Sequence, residues 1–432
     1  MTLIRKRVSC PYCDAVVFLG DCPIVATNRE DDAGQFGAQF GADLPAGGDG
    51  GTAGTPGDWE RYPVLWRPAP PKPAAVVPPP PKNFLVRLME TLASIPEEEE
   101  PDEYEVVRPV SSFGFPWKEL PTRACVRCGT PLPDEIGDRQ ILKIGIVGTT
   151  GAGKSHFLAA LIKEAAHQQG LRKWGIAEFE LVETSSEMYR ERYESFWHDR
   201  RVLEPNLPAD APEVVFRPLI VRATYLRGTK VLLYFYDIDG ESLANRGRRA
   251  RYASYLRRPH GLIFLIDPMM IDAIRTHLAP GESGYHRYIR QGDLVNACVA
   301  DLEADRARRT PIAIALSKSD LVATAAGRQH SFTFSRPATA SDPIDSVAAE
   351  MAHIHREVRE VLGAAGERDL LAVADRLGPG APLTFHAVAP IGYAPQHEDG
   401  VRVAPEIKPL RCLDPLIALI SPWVRDQIRS GL

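Results

Sequence analysis

An α/β fold with a mainly parallel sheet flanked by helices is what this sequence predicts, and three observations carry that prediction. From residue 141 onward, short apolar runs of strand length alternate with longer stretches of helical periodicity. A glycine-rich loop stands between the first such run and the first such helix. Later runs end in single polar residues of the kind found at the carboxyl ends of parallel strands.

The first run, 141–146, is apolar apart from Lys143 and Gly145 and reads as a buried strand. It passes into Gly148-Thr149-Thr150-Gly151-Ala152-Gly153-Lys154-Ser155, followed by His156. Phe157, Leu158, Leu161, Ile162 and Ala165 then share one face of a helix. The strand–loop–helix context is what a phosphate-cradling loop requires. Gly148 and Gly153 permit backbone angles that aim successive amides inward, and the helix start adds unpaired N–H donors and the positive end of its dipole. Lys154 is expected to reach the β- and γ-phosphates and Ser155 to ligate Mg²⁺. The fold class is accordingly a P-loop NTPase.

Further strands are expected at 179–183, 214–223, 231–238, 261–267, 311–316 and 384–389, and helices near 242–257, 293–308, 344–363 and 413–429. Residues 185–213 show no clean period and are expected to be a loop near the phosphates. Asp237 ends a strand and is followed by Ile238-Asp239-Gly240, so it is a candidate Mg²⁺ ligand, with the Gly240 amide available to the γ-phosphate. Ser317-Lys318-Ser319-Asp320 follows another strand. There the Asp320 carboxylate would accept from guanine N1–H and the 2-amino group, a donor pair adenine lacks, and the Lys318 stem would pack along the base. Backbone near Val388 and Ala389 is a weaker candidate for a further base contact.

The N-terminal part is different in texture. Cys10-x-x-Cys13 and Cys125-x-x-Cys128 each read as the knuckle of a zinc ribbon, and four thiolates would make a closed, structural site. Cys22 is a substitute ligand to consider. Between the pairs lies a Gly-rich stretch at 31–58, a proline tract at 68–82, a short amphipathic helical pattern at 84–95 and an acidic run beginning at 97. The organisation expected is therefore a first ribbon half at 1–30, a flexible insertion at 31–119, a second ribbon half at 120–135 and the P-loop domain at 136–432.

Net charge is −5, from 51 Lys+Arg against 56 Asp+Glu, so nucleic acid is not indicated as a partner. No signal-peptide core and no apolar run of membrane-spanning length occurs, which makes a cytoplasmic protein the expectation. Seven cysteines so unevenly placed do not form a disulfide framework.

Read together, GIVGTTGAGKSHFLAAL, YDIDGE, GLIFLIDP and ALSKSDL, with the cysteine pairs, resemble a TRAFAC-type P-loop GTPase, and more narrowly the bacterial double-GTPase domains of type two. The resemblance covers roughly residues 141–432. It implies GTP and Mg²⁺ as ligands, slow GTP hydrolysis, a nucleotide-dependent switch acting on partner proteins, and a place in a bacterial multi-gene defence system. Glu241 occupies the position of the water-orienting residue, and Lys154, Asp237, Gly240 and Glu241 are the candidate catalytic set. Serine stands at 317 where the motif carries asparagine, no threonine in 201–213 matches the family's first switch, and no arginine finger is assignable; Arg246, Arg248, Arg249 and Arg251 are expected to decorate an exposed helix. An ATPase of the same fold, and an adaptor gated by nucleotide with negligible turnover, are the alternatives.

Overall fold

Two apolar runs set the architecture: GLIFLI at Gly261–Ile266 (β10) and IAIAL at Ile312–Leu316 (β11) are buried at every position. Strands without an exposed face belong inside a sheet covered on both sides. A computed structural model of the chain describes residues 7–11, 15–22, 24–27, 64–66, 120–127, 132–133, 135–166, 169–204, 218–237, 240–276, 290–302, 309–325, 332–335, 342–377, 382–398, 401–422 and 425–426. The chain divides into two compact units, with the boundary at Gly137/Asp138.

In the C-terminal unit a seven-stranded sheet has the order β12-β11-β10-β6-β9-β8-β7. The remaining members are β6 (Gln140–Gly148), β7 (Ile176–Leu181), β8 (Leu219–Tyr225), β9 (Lys230–Asp237) and β12 (Leu383–Ala387). All pairings from β12 to β9 are parallel; β8 is antiparallel to both β9 and β7. Each expected strand is present, with ends moved by up to five residues. The chain leaves β6 toward the β9 side and returns to β10 on the other side. The carboxyl end of β6 is thus the point where the winding reverses, the place where such sheets open a crevice for ligands.

Alternation along the central strands supplies two cores. Ile144, Ile146, Ile263 and Leu265 face one layer, with Phe157, Leu158 and Leu161 of α1 (Lys154–Ala166) and Leu416 and Ile417 of the C-terminal helix. Val147, Leu262, Phe264 and Ile266 face the other, with residues of Gln291–Ala300 and of Ile344–Ala364. Each fully buried Leu, Ile or Phe contributes about 1.5–3 kcal/mol, so the position of the β6–α1 loop is fixed by the most heavily buried part of the molecule.

Several expectations are corrected here. Residues 183–198 are not loop but a 16-residue helix, α2 (Glu183–His198). Tyr193 and Phe196 are buried, and Met188, Tyr189 and Trp197 pack beside them, so this helix has an apolar face built mostly from aromatic residues. The 242–257 helix is broken into α3 (Gly240–Ala244), α4 (Arg246–Tyr252) and a 3-10 turn at Ser254–Arg257. The break falls at Asn245, which adopts extended backbone and caps α4 by accepting from the Arg248 amide at 3.0 Å. The helix of 293–308 is α5 (Gln291–Ala300), and that of 344–363 is α7 (Ile344–Ala364), α6 being Ser319–Ala325. The last helix, α8 (Asp414–Ile420), is interrupted at Ser421, which precedes Pro422 and is extended, and helical backbone resumes at Pro422, Arg425 and Asp426.

The N-terminal unit contains a hairpin, β1 (Arg7–Ser9) with β2 (Val16–Phe18), and a three-stranded sheet of order β4-β3-β5. Its members are β3 (Ile24–Thr27), β4 (Val64–Trp66) and β5 (Leu120–Arg123). The expected insertion therefore includes a strand that pairs with β3. The Gly-rich stretch of 31–58, the proline tract, the 84–95 pattern and the acidic run lie outside the described residues. Cys10 follows β1, and its amide donates to the Ala15 carbonyl at 2.9 Å. Arg123 donates to the carbonyls of Leu19 and Cys22, tying the turn before β3 to β5.

Candidate functional site

At the carboxyl end of β6 the backbone turns through Gly151 (φ 86°) and Gly153 (φ 84°), both in the left-handed region that favours glycine. The turn is closed by the Ala152 amide on the Thr149 carbonyl at 3.1 Å, and α1 begins with the Phe157 amide on the Gly153 carbonyl at 2.8 Å. Gly148 is required for packing: a Cβ there would lie 2.9 Å from the Leu265 carbonyl oxygen of β10. Lys154 is buried and folds back over the loop, its Nζ donating to the carbonyls of Gly148 (3.0 Å) and Thr149 (3.1 Å). The ammonium thus sits on the loop that it is expected to share with phosphate.

On one side of the loop, the Ser155 hydroxyl donates to Oδ2 of Asp237 at 2.8 Å. The same oxygen lies 3.5 Å from a guanidinium nitrogen of Arg192 on α2, and the Asp237 side chain is only 4% exposed. Its other oxygen, Oδ1, is buried and has no hydrogen-bond partner among the described residues. A buried carboxylate oxygen left bare is costly, and hard oxygen donors on Ser and Asp suit Mg²⁺. The residues present fit that ion. Gly240, at the start of α3, presses on the loop: a Cβ there would lie 2.6 Å from the Thr149 carbonyl carbon and 2.8 Å from the Gly148 oxygen. Only glycine brings this backbone so close. The Glu241 side chain and Asp239 lie outside the described residues, as do 205–217, which hold most of the stretch searched for a first-switch threonine.

On the other side, Ser317-Lys318-Ser319-Asp320 turns from β11 into α6. Lys318 has φ 49°, and its Nζ reaches Asp267 Oδ2 at 2.8 Å. Asp267 is fully buried. Its Oδ1 accepts from the Met269 amide at 3.0 Å, and its own amide and carbonyl are both bonded by the Gln291 side chain. Burial raises the Asp320 carboxyl above its ordinary range, against the pull of its own amide, the Leu321 amide and Lys318. The Ser319 amide donates to the Val388 carbonyl at 3.1 Å, which brings the end of β12 beside this turn. A Cβ on Gly153 would stand 3.5 Å from Ser317 Oγ, so the phosphate loop and the base-side turn are neighbours. The Ser317 hydroxyl itself is buried with no partner among the described residues, so it makes no tether there.

His156 turns away from the loop. Its Nε2 accepts from the Leu203 amide at 2.9 Å and its ring meets Phe196 edge-on. Burial, then the charges of Lys318 and Arg402, lower its pKa to about 4, so it is neutral. Arg249 is not decoration: it is 5% exposed, pairs with Asp301 and donates to the Leu243 carbonyl at 2.7 Å, holding α3 to α4. In the N-terminal unit Cys10, Cys22 and Cys125 are all fully buried. Cys22 is pushed up to about 11 by burial, with the Val126 amide opposing and Cys125 adding to the shift. The Arg127 amide donates to Cys125 Sγ at 3.4 Å. Cys13 and Cys128 lie outside the described residues, and among the described residues no group of three or more His, Cys, Asp or Glu is placed to hold a metal ion.

Sequence reasoning missed Asp267 and Arg192. Asp267 ends the apolar run of β10, one signal that could have found it. Arg192 lies on α2, whose apolar face is mostly aromatic and interrupted by charged residues.

A family model described as Double-GTPase 2 matches residues 143–375, more than half of the chain. The chain belongs to the double-GTPase 2 family. The matched span runs from β6 to the short helix Val373–Leu377 and so includes the phosphate loop, Asp237, Gly240, Asp267 and the 317–320 turn; Val388 and the N-terminal unit lie outside it. Curated proteins gave no sequence match. Among solved structures, the Arl6 BBS3 small GTPase from Trypanosoma brucei with bound nucleotide analogue GppNp is similar at 9% identity and a TM-score of 0.26, over 68% of this chain and 100% of that one. Family and sheet support GTP binding by this double-GTPase 2 domain. No described helix is long and apolar enough to cross a membrane.

Proposed function

We propose that this protein binds GTP with Mg²⁺, hydrolyses it slowly and works in the cytoplasm as a nucleotide-dependent switch for partner proteins, within the kind of bacterial defence system that the family resemblance implies. The observation that carries the reading is the Ser155–Asp237 pair with its bare buried oxygen, set against the phosphate loop at the reversal point of the sheet.

Bound by Ser155 and Asp237, Mg²⁺ would supply charge neutralisation on the β- and γ-phosphates. Lys154 would exchange the carbonyls of Gly148 and Thr149 for phosphate oxygens, and the amides of the 148–155 loop would complete the cradle. The Gly240 amide, already against the loop, would take the γ-phosphate. Glu241 would orient water for in-line attack. A carboxylate there also repels the phosphate, which is why slow turnover is expected. Asp320 would pair with the guanine edge, and Lys318, held by Asp267, would cover the base.

Calorimetry with GTP, GDP and ATP tests this on the nucleotide-free protein. Tight, Mg²⁺-dependent binding of the guanine nucleotides, lost in Lys154→Ala, is expected. Equal affinity for ATP would overturn the base assignment, and unchanged affinity in Lys154→Ala would overturn the phosphate assignment.

A structural zinc ion in the N-terminal unit is the other part of the proposal, with Cys10, Cys13, Cys125 and Cys128 as ligands. It is supported by the two C-x-x-C pairs, the complete burial of Cys10 and Cys125, and the amide-to-sulfur bond at Cys125. Elemental analysis should find about one Zn per chain; a folded, zinc-free chain would reject it.

A further inference from the structure

Helix α2 delivers Arg192 to the carboxylate on which the nucleotide reading depends. Its guanidinium lies 3.5 Å from Asp237 Oδ2, the oxygen that also accepts from Ser155, while Oδ1 stays bare. Beside them is a small cleft lined by Leu158, Met188, Tyr193, Leu219 and Phe235, so the pair sits against apolar walls that weaken screening. A carboxylate buried to this degree needs a cation nearby. Here that cation is an arginine, which cannot lose its charge.

A guanidinium and a divalent ion drawn to one carboxylate repel each other, so the two compete. The Arg192 side chain is 40% exposed and can turn toward solvent without crossing the core, whereas Asp237 is fixed at the end of β9.

We propose that Arg192 is a further residue of the nucleotide site, standing in for the divalent cation on Asp237 until nucleotide and cation arrive together, and then yielding the carboxylate. The inference rests on the GTP–Mg²⁺ reading given above. Its consequence is a thermodynamic coupling. Without metal, Arg192 masks the charge of Asp237 and lets GTP enter; with metal, part of the ion's binding energy goes into displacing the guanidinium. Both effects reduce the factor by which Mg²⁺ strengthens GTP binding.

The experiment measures the Kd for GTP in Mg²⁺ and in EDTA, by calorimetry, for the full-length protein, Arg192→Ala and Arg192→Lys. The ratio of the two Kd values should be at least about tenfold larger in Arg192→Ala than in the native chain, a coupling within the usual range for linked sites, and should stay near the native value in Arg192→Lys, which keeps the charge. Equal ratios in all three proteins, with GTP bound tightly, would overturn the role of Arg192 and leave the nucleotide reading standing. Absence of GTP binding to the native chain in both conditions would overturn that reading and this inference with it.

Discussion

Glu164 lies in the last turn of α1, the helix that starts at the phosphate loop. Its carboxyl group faces α8, where Asp414 is buried and the Leu413 amide supplies a hydrogen bond. Burial first, then the Asp414 charge, raises its pKa from 4.5 to about 8. Folding therefore requires this acid to hold a proton that the unfolded chain releases above pH 4.5. For a raised acid the sign is clear: the folded state binds more protons between pH 4.5 and 8, so stability falls as pH rises through that window. At about 1.4 kcal/mol per pH unit the loss reaches roughly 5 kcal/mol at pH 8, an upper bound because the site is only partly covered. Glu164→Gln keeps an oxygen that accepts from Leu413 and removes the charge. Thermal unfolding of both proteins from pH 5 to 8.5 should show the variant gaining on the native chain as pH rises, by up to about 10 °C at the alkaline end for a unit of this size. Parallel curves would refute the claim that Glu164 is held protonated.

At the acid end the sign reverses. His156 and His386 are lowered by burial to about 4 and about 3, so both must stay neutral and stability is lost as pH falls below 6.5; His156→Asn should lessen that loss, and an unchanged acid limb would count against it. Gly240→Ala should weaken GTP binding at least about tenfold, since its Cβ cannot coexist with the Gly148–Thr149 backbone, a cost of order 1–3 kcal/mol; undiminished affinity measured by calorimetry would show that the loop opens there. Asp320→Asn should lower the preference for GTP and admit xanthosine triphosphate, by the exchange of an acceptor for a donor; an unaltered ranking in competition binding would remove Asp320 from the base site.

What was legible in the sequence was what short-range pattern determines. The phosphate loop declares itself because its glycines answer local backbone demands, two of them at φ near 85° and Gly148 against Leu265. The sheet declares itself because strands covered on both faces read as unbroken apolar runs. Helix α2 did not, because a face made of Met188, Tyr189, Tyr193, Phe196 and Trp197 is interrupted by arginines and glutamates, and its buried members are aromatic rather than aliphatic.

The same distinction divides the candidate site. Lys154, Ser155 and Gly153 are placed by a loop of eight residues, so spacing alone reveals them. Lys318 and Asp320 follow a strand end, and again spacing suffices. Asp267 and Arg192 matter only through partners 51 and 45 positions away, Lys318 and Asp237 respectively, and each is an ordinary charged residue in its own neighbourhood. A lysine in the left-handed region gains its fixed direction from the carboxylate that receives it, and Asp267 in turn is oriented by Gln291 and Met269. Such groups position others instead of forming a motif, and for Asp267 complete burial strengthens the contact. If the base-side turn is held in this way, Asp267→Asn should loosen Lys318 and lower GTP affinity while leaving the phosphate loop intact. Loss of discrimination between GTP and GDP, in place of a uniform loss of guanine affinity, would show that the support belongs to the phosphate side instead.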